Sequence, residues 1–328
     1  MKHLITFALI FSSVLSFAQY EEAQPFAESI DRQDLKELLY VYASDFFQGR
    51  ETGKLGQKRA VTFLKEFYEK RGIAPAKGTD DYFQSMELTI KGEAVSTENV
   101  VAIIEGSTKP DEYVVISSHL DHEGIKNGQI YNGADDDGSG SVALLEIAEA
   151  FQKAAEAGKG PHRSVIFLHV SGEEKGLLGS KYYTDNPLYP LANTIANFNI
   201  DMVGRTDPKR ESDNRNYIYL IGSDRLSTEL HEISEEANKA TTNIELDYTY
   251  NAEDDPNRFY FRSDHYNFAK NNIPVIFYFN GTHADYHKPT DTVEKIEFDL
   301  LEERARLVFY TAWEVANRKD RLVVDKAK

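Results

Sequence analysis

The chain has 328 residues carrying 37 basic and 54 acidic side chains, a formal charge of −17 at pH 7, and that balance repels a polyanion and argues against a nucleic-acid partner. Hydrophobic residues at 41% and aromatic residues at 12% are enough for a sizeable buried core, which excludes disorder of the low-hydrophobicity kind. The chain has no cysteine, so disulfides, a thiol nucleophile, a thiolate-bound metal and a lipid-attachment cysteine are excluded, and any metal must be held by His, Asp and Glu.

In chain order, residues 1–18 read as an export signal: Lys2 and His3 start it, Leu4 to Leu15 form an apolar run, and Ser16-Phe17-Ala18 supplies small residues for cleavage. The apolar run is shorter than the ~20 residues of a membrane span, and no later segment is long enough, so stable membrane insertion is not expected. The mature protein is then residues 19–328, exported to the periplasm or secreted. No repeat, low-complexity tract or long linker divides it, so a single domain is expected.

The spacing predicts amphipathic helices over 34–47 and 56–71, then short apolar runs of strand type at Phe83 to Ile90, Val100 to Ile104, Val114 to Ser117 and Val165 to Val170. A helix over 139–157 separates the last two, with Ser139 as its expected cap. Further strands at Asn197 to Ile200, Tyr217 to Ile221 and Pro274 to Phe279 alternate with helices over 227–239 and 299–317. This is an α/β class: a mixed, mostly parallel sheet with helices on both faces. In such sheets ligands gather beyond the carboxyl ends of the strands. There the sequence sets His119-Leu120-Asp121, Ser171-Gly172-Glu173-Glu174 and Asp201.

Gly133-Ala134-Asp135-Asp136-Asp137-Gly138-Ser139-Gly140 crowds three carboxylates before a helix. An acidic first turn stabilised by the helix dipole accounts for such a run, and so does a divalent cation that relieves the repulsion between the acids. His119 and Asp121 stand two apart, the arrangement in which a carboxylate orients a histidine ligand, although a surface His-Asp pair has the same spacing. Adjacent Glu173 and Glu174 diverge, so one can face a metal while the other serves as a general base. Asp201 also reads as a turn residue, and His287, in Tyr286-His287-Lys288-Pro289-Thr290-Asp291-Thr292, as a histidine of a Pro-containing turn. Jointly, two His and three carboxylates make an N/O donor set suited to a pair of zinc ions.

The order and wording of these motifs, together with Gly49-Arg50-Glu51-Thr52-Gly53 and Ser263-Asp264-His265, resemble the co-catalytic dizinc exopeptidases over nearly the whole mature chain. That family includes secreted bacterial leucyl aminopeptidase, aminopeptidase Y and glutamate carboxypeptidase II, with glutaminyl cyclase as an offshoot. The resemblance implies two Zn²⁺ per chain, bridged by Asp136, with His119 and Asp201 completing one site and Glu174 and His287 the other. It implies Glu173 as general base, Asp121 as the partner of His119, Asp264 beside the catalytic glutamate, and Tyr260 near the substrate carbonyl. Asp135 and Asp137 are supporting neighbours.

The implied activity is that of a monomeric aminopeptidase hydrolysing peptides with a free N-terminus, with water activated between the two ions. The alternatives are a carboxypeptidase using Arg205, Arg258 or Arg262 to hold a free carboxylate, a glutaminyl cyclase, and, remotely, a non-catalytic binding module. The acidic site suits a cationic N-terminus. No Gly-rich phosphate loop followed by Lys-Ser/Thr supports a nucleotide function.

Overall fold

The computed structural model describes residues 19–327 except Asp80; the expected export signal, residues 1–18, lies outside the described residues. Three helices lead in: α1 (19–27), α2 (Arg32–Tyr42) and α3 (Leu55–Lys70). The Asp31 carboxylate accepts from the Gln33 amide at the start of α2, satisfying a donor that the helix cannot. The helix expected to continue to residue 47 stops at Tyr42. It passes into a 3-10 turn, Asp45–Arg50, in which Gln48 and Gly49 take left-handed backbone angles.

Strands follow: β1 (Ala74–Pro75), β2 (Phe83–Ile90), β3 (Glu93–Ile104), β4 (Lys109–His119), and the hairpin β5 (Gly124–Lys126) and β6 (Gln129–Tyr131). The rest alternates: α4 (Gly140–Glu156), β7 (Arg163–Val170), α5 (Leu178–Asp185), β8 (Thr194–Ile200), β9 (Tyr217–Ile221), α6 (Thr228–Ala240), β10 (Glu245–Asp247), α7 (His265–Ala269), β11 (Val275–Phe279) and α8 (Phe298–Asn317).

One mixed sheet runs β1-β3-β7-β4-β8-β11-β9-β10, with β2 paired to β3. Its centre, β7-β4-β8-β11, is parallel, whereas β3 meets β7 and β9 meets β11 antiparallel. Alternate residues feed opposite faces. Val114 and Ile116 of β4 and Val165 and Phe167 of β7 join the core under α2, α4 and α8, while Val115, Ile166, Leu168 and Val170 pack with Tyr183 of α5 and Phe268 of α7. Burial on both faces explains why these strands read as continuous apolar runs rather than alternations. The parallel centre sends the carboxyl ends of four strands to one edge.

Candidate dimetal centre

His119 is the last residue of β4, Glu173 and Glu174 follow β7, Asp201 follows β8, and His287 lies in the loop beyond β11. Adjacent parallel strands in register bring these termini together. The His119 Nδ1–H donates to the Asp121 carbonyl oxygen at 3.0 Å, which fixes the tautomer and leaves the Nε2 lone pair free. That Nε2 faces Asp136 Oδ1 at 3.1 Å and Asp201 Oδ1 at 3.5 Å. His287 Nε2 stands 3.0 Å from Asp136 Oδ2 and 3.3 Å from Glu174 Oε2. Asp136 thus turns one oxygen to each half.

Three consecutive acids have three different surroundings. Asp137 accepts from the main-chain amides of His119, Gly140 and Met202, tying β4, α4 and the end of β8 together. Asp135 accepts from the Gly204 amide and the Ser139 hydroxyl through one oxygen and from His283 Nε2 through the other. Only Asp136 is left to face His119 and His287. Its loop is held from behind by Asp291, whose carboxylate accepts from the amides of Asp135 and Asp136. Ser139, expected as the cap of α4, makes no capping bond; it donates instead to the Asp135 carbonyl and carboxylate.

The surroundings set the charges. Burial raises the Asp136 and Glu174 carboxyls, but the facing histidines overcome it, holding Asp136 well below the usual range and Glu174 at about 2. For Glu173 burial prevails: with the like charges of Glu174, Asp201 and Asp264, it pushes the carboxyl well above the usual range against the pull of His119. Burial lowers His287, yet its bonds to Asp136 and Glu174 bring it up to about 10.

Asp121 sits beside His119, but its carboxylate is 4.0 Å from the ring nitrogen and is engaged by the Thr52 hydroxyl at 2.7 Å and the Glu173 amide at 3.2 Å. The histidine is therefore oriented mainly by the Asp121 carbonyl, and the carboxylate positions Glu173. Asp264 is fully buried, hydrogen-bonded through Oδ1 to Ser180, and pushed up to about 7 mainly by burial. Tyr260 departs from expectation: its ring lies under the Arg225 guanidinium and against His265, and it is not among the residues lining the cleft. The reason is local. Left-handed Arg258 opens a short 3-10 turn, Phe259–Phe261, and Phe259 rather than Tyr260 reaches the cleft.

The cleft is walled by Met202, Phe259, Phe277, Phe279 and Tyr286, with Arg262 beside them. Tyr286 stacks on His287 at 3.9 Å between ring centroids.

Four contributors escaped sequence reasoning. His122, three residues after His119, is fully buried and has Nδ1 2.9 Å from Glu174 Oε1. Arg50, also fully buried, donates to the carbonyls of Leu120, Tyr42, Asn132 and Gly133, clamping the loops that carry His119 and Asp136. Ser263 donates to Asp201 Oδ2 at 2.6 Å, and His283 supports Asp135. His122, Arg50 and Ser263 lie inside or directly beside motifs already singled out, and that adjacency was the available signal.

The fit to metal ions rests on polar atoms left alone. His119 Nε2, His122 Nδ1, Asp136 Oδ2 and Glu174 Oε1 are buried without hydrogen-bond partners and converge on the same space, a cost that divalent cations would remove. Imidazole nitrogens and carboxylate oxygens suit zinc.

The model of peptidase family M28 matches residues 99–312. The chain belongs to peptidase family M28. A probable leucine aminopeptidase of Trichophyton verrucosum is 26% identical over 309 residues, 90% of this chain and 76% of that protein. A probable glutamate carboxypeptidase of Arabidopsis thaliana is 34% identical over 119 residues; the match covers 35% of this M28 chain and spans only 16% of the plant protein. In fold, the M28 chain is similar to the Legionella pneumophila LapA aminopeptidase, with a TM-score of 0.71 at 19% identity, covering 92% of this chain and 76% of that one. It is also similar to the Porphyromonas gingivalis glutaminyl cyclase, with a TM-score of 0.67 at 18% identity, covering 86% and 97%.

Proposed function

We propose that this chain is an exported, monomeric aminopeptidase that binds two zinc ions and removes N-terminal residues from peptides. The observation that carries the reading is the convergence of His119, Asp136, Glu174, Asp201 and His287, with unpartnered buried atoms facing one another and Glu173 beside them. His119, Asp136 and Asp201 would hold one ion, and Asp136, Glu174 and His287 the other. Bound there, the ions would supply Lewis acidity, polarising a peptide carbonyl and easing the ionisation of water.

The protein's own groups do the rest. Glu173, with a raised affinity for protons in a buried acidic setting, takes a proton from water and passes it to the departing amine. The Asp121 carboxylate holds Glu173 through its amide. Phe259, Phe277, Phe279 and Met202 favour an apolar or aromatic side chain, and the surrounding carboxylates attract a cationic N-terminus. Similarity over most of this chain to a protein named as a probable leucine aminopeptidase agrees with this reading. Arg262 lines the cleft with its guanidinium over the Phe259 ring, a cation near the site that supports carboxypeptidase action as the second reading. Among the described residues no helix is long and apolar enough to cross a membrane.

The test is a peptide pool, each sequence supplied free and N-acetylated, incubated with zinc-loaded protein and read by mass spectrometry. Stepwise loss of N-terminal residues from the free peptides alone is expected. C-terminal trimming of both sets would select the carboxypeptidase, and ring closure of N-terminal Gln the cyclase. No change would overturn enzymatic action on peptides.

A further inference from the structure

His122 belongs to none of the roles assigned so far, yet it is placed among the acids of the centre. Its imidazole is fully buried, and neither ring nitrogen has a hydrogen-bond partner. Nδ1 is 2.9 Å from Glu174 Oε1 and 3.8 Å from Asp136 Oδ2. The short approach to Glu174 lacks the direction of a hydrogen bond, since Oε1 is itself left without a partner. A histidine buried for packing alone would leave two polar atoms unsatisfied at a cost of about 1–3 kcal/mol each.

The ring is also held in place. Gly133, at φ 55°, lies beneath it, and a Cβ there would come within 2.5 Å of two ring carbons. Arg50 holds Gly133 itself by donating to its carbonyl at 2.9 Å. The His287 ring lies edge-on at 5.8 Å, so two imidazoles flank the Glu174 carboxylate.

Resting on the two-metal reading, we propose that His122 Nδ1 is a further ligand at the Glu174 position, which then has His122, His287, Glu174 and Asp136 around one ion. Two donors on the same tetrahedral zinc stand roughly 3.3–3.5 Å apart, given Zn–N and Zn–O bonds of about 2.0–2.2 Å. The separations here, 2.9 to 3.8 Å, bracket that figure. The two halves then differ in kind. Four protein donors would surround the Glu174 position, whereas His119, Asp136 and Asp201 would supply three to the other.

The test is zinc X-ray absorption on the wild-type protein loaded with two ions, beside competitive zinc titration of wild type, His122→Ala and His122→Asn. Three imidazoles shared between two ions are expected, falling to two in the variants, with one of the two affinities weakened by ~10²-fold or more. Two imidazoles already in the wild type, or titrations of folded variants that match it, would overturn the role of His122 while leaving the dimetal reading intact. A wild type that takes up one ion or none would overturn both. The absorption measurement on the wild type decides even if both variants fail to fold.

Discussion

Two of the places where this protein buries acids differ in what faces them. At the carboxyl edge of the sheet, Asp136 and Glu174 lie between histidines, which hold both carboxyls down despite burial. In the helical layer, Glu146 of α4 and Glu314 of α8 meet no such partner, and burial pushes them up to about 8 and about 7. Both oxygens of Glu146 are without hydrogen bonds. Burial alone therefore does not make a site; a crowd of acids becomes one where the fold also delivers groups that keep them ionised. The edge itself divides by the same rule. Glu173 and Asp264, beside the histidine-facing acids, are raised instead, because burial and like charges outweigh the pull of His119.

Removing the residue that both halves share breaks the comparison most severely. Asp136→Asn is expected to lose both ions and reduce peptide hydrolysis to background, with metal analysis as the check; two retained zinc ions would remove Asp136 from the bridging role. Glu173→Gln separates base from ligand. It should keep both ions while kcat falls by about 10²–10⁴-fold. Unchanged turnover with verified zinc content would exclude Glu173 as the base.

The legible part of this structure was the part written in local patterns. Strands β2 and β9 occupy the ranges that apolar runs predict, and the motif order on β4, β7 and β8 anticipates their convergence, because parallel neighbours end at one edge. Short edge strands such as β1 and β10 carry too few residues to show a period. The distribution of work among Asp135, Asp136 and Asp137 was equally hidden. It depends on amides supplied by Met202 and Gly204, more than 60 positions away, to two of the three. Tyr260 was hidden for a related reason: after left-handed Arg258, Phe259 reaches the cleft while the Tyr260 ring packs between Arg225 and His265. Arg50 was visible as part of a motif, but its role is readable only once the carbonyls it meets are known.

That role gives the next prediction. Arg50→Met removes the donors to four main-chain carbonyls while keeping much of the side-chain volume, leaving buried acceptors unsatisfied. A loss of about 2–4 kcal/mol in unfolding free energy is expected, with weaker zinc binding because the loops of His119 and Asp136 are no longer clamped together. Denaturant unfolding and zinc titration check the two effects. A variant that loses stability but binds zinc as the wild type does would confine Arg50 to a structural role.

The smallest effect lies in the other acidic region and carries a definite sign. Burial raises the folded Glu146 carboxyl from 4.5 to about 8, reinforced by Glu149 and Asp34 and opposed by Arg71 and Lys153. The folded state therefore holds this proton more tightly than the unfolded chain. Stability from the neutral carboxyl is fully present below pH 4.5 and is lost as pH rises toward 8, where the unfolded chain has already released its proton. The full shift would correspond to about 5 kcal/mol, and local relaxation that lets water reach the ionised carboxyl reduces the expected loss to about 2 kcal/mol. Glu146→Gln keeps the shape without the titration. Its melting temperature should match the wild type at pH 4.5 and exceed it by a few degrees at pH 8, with the zinc content of the site unchanged. An identical pH dependence in both proteins would mean that Glu146 finds a partner in solution, and the contrast between the two acidic regions would then lose its basis.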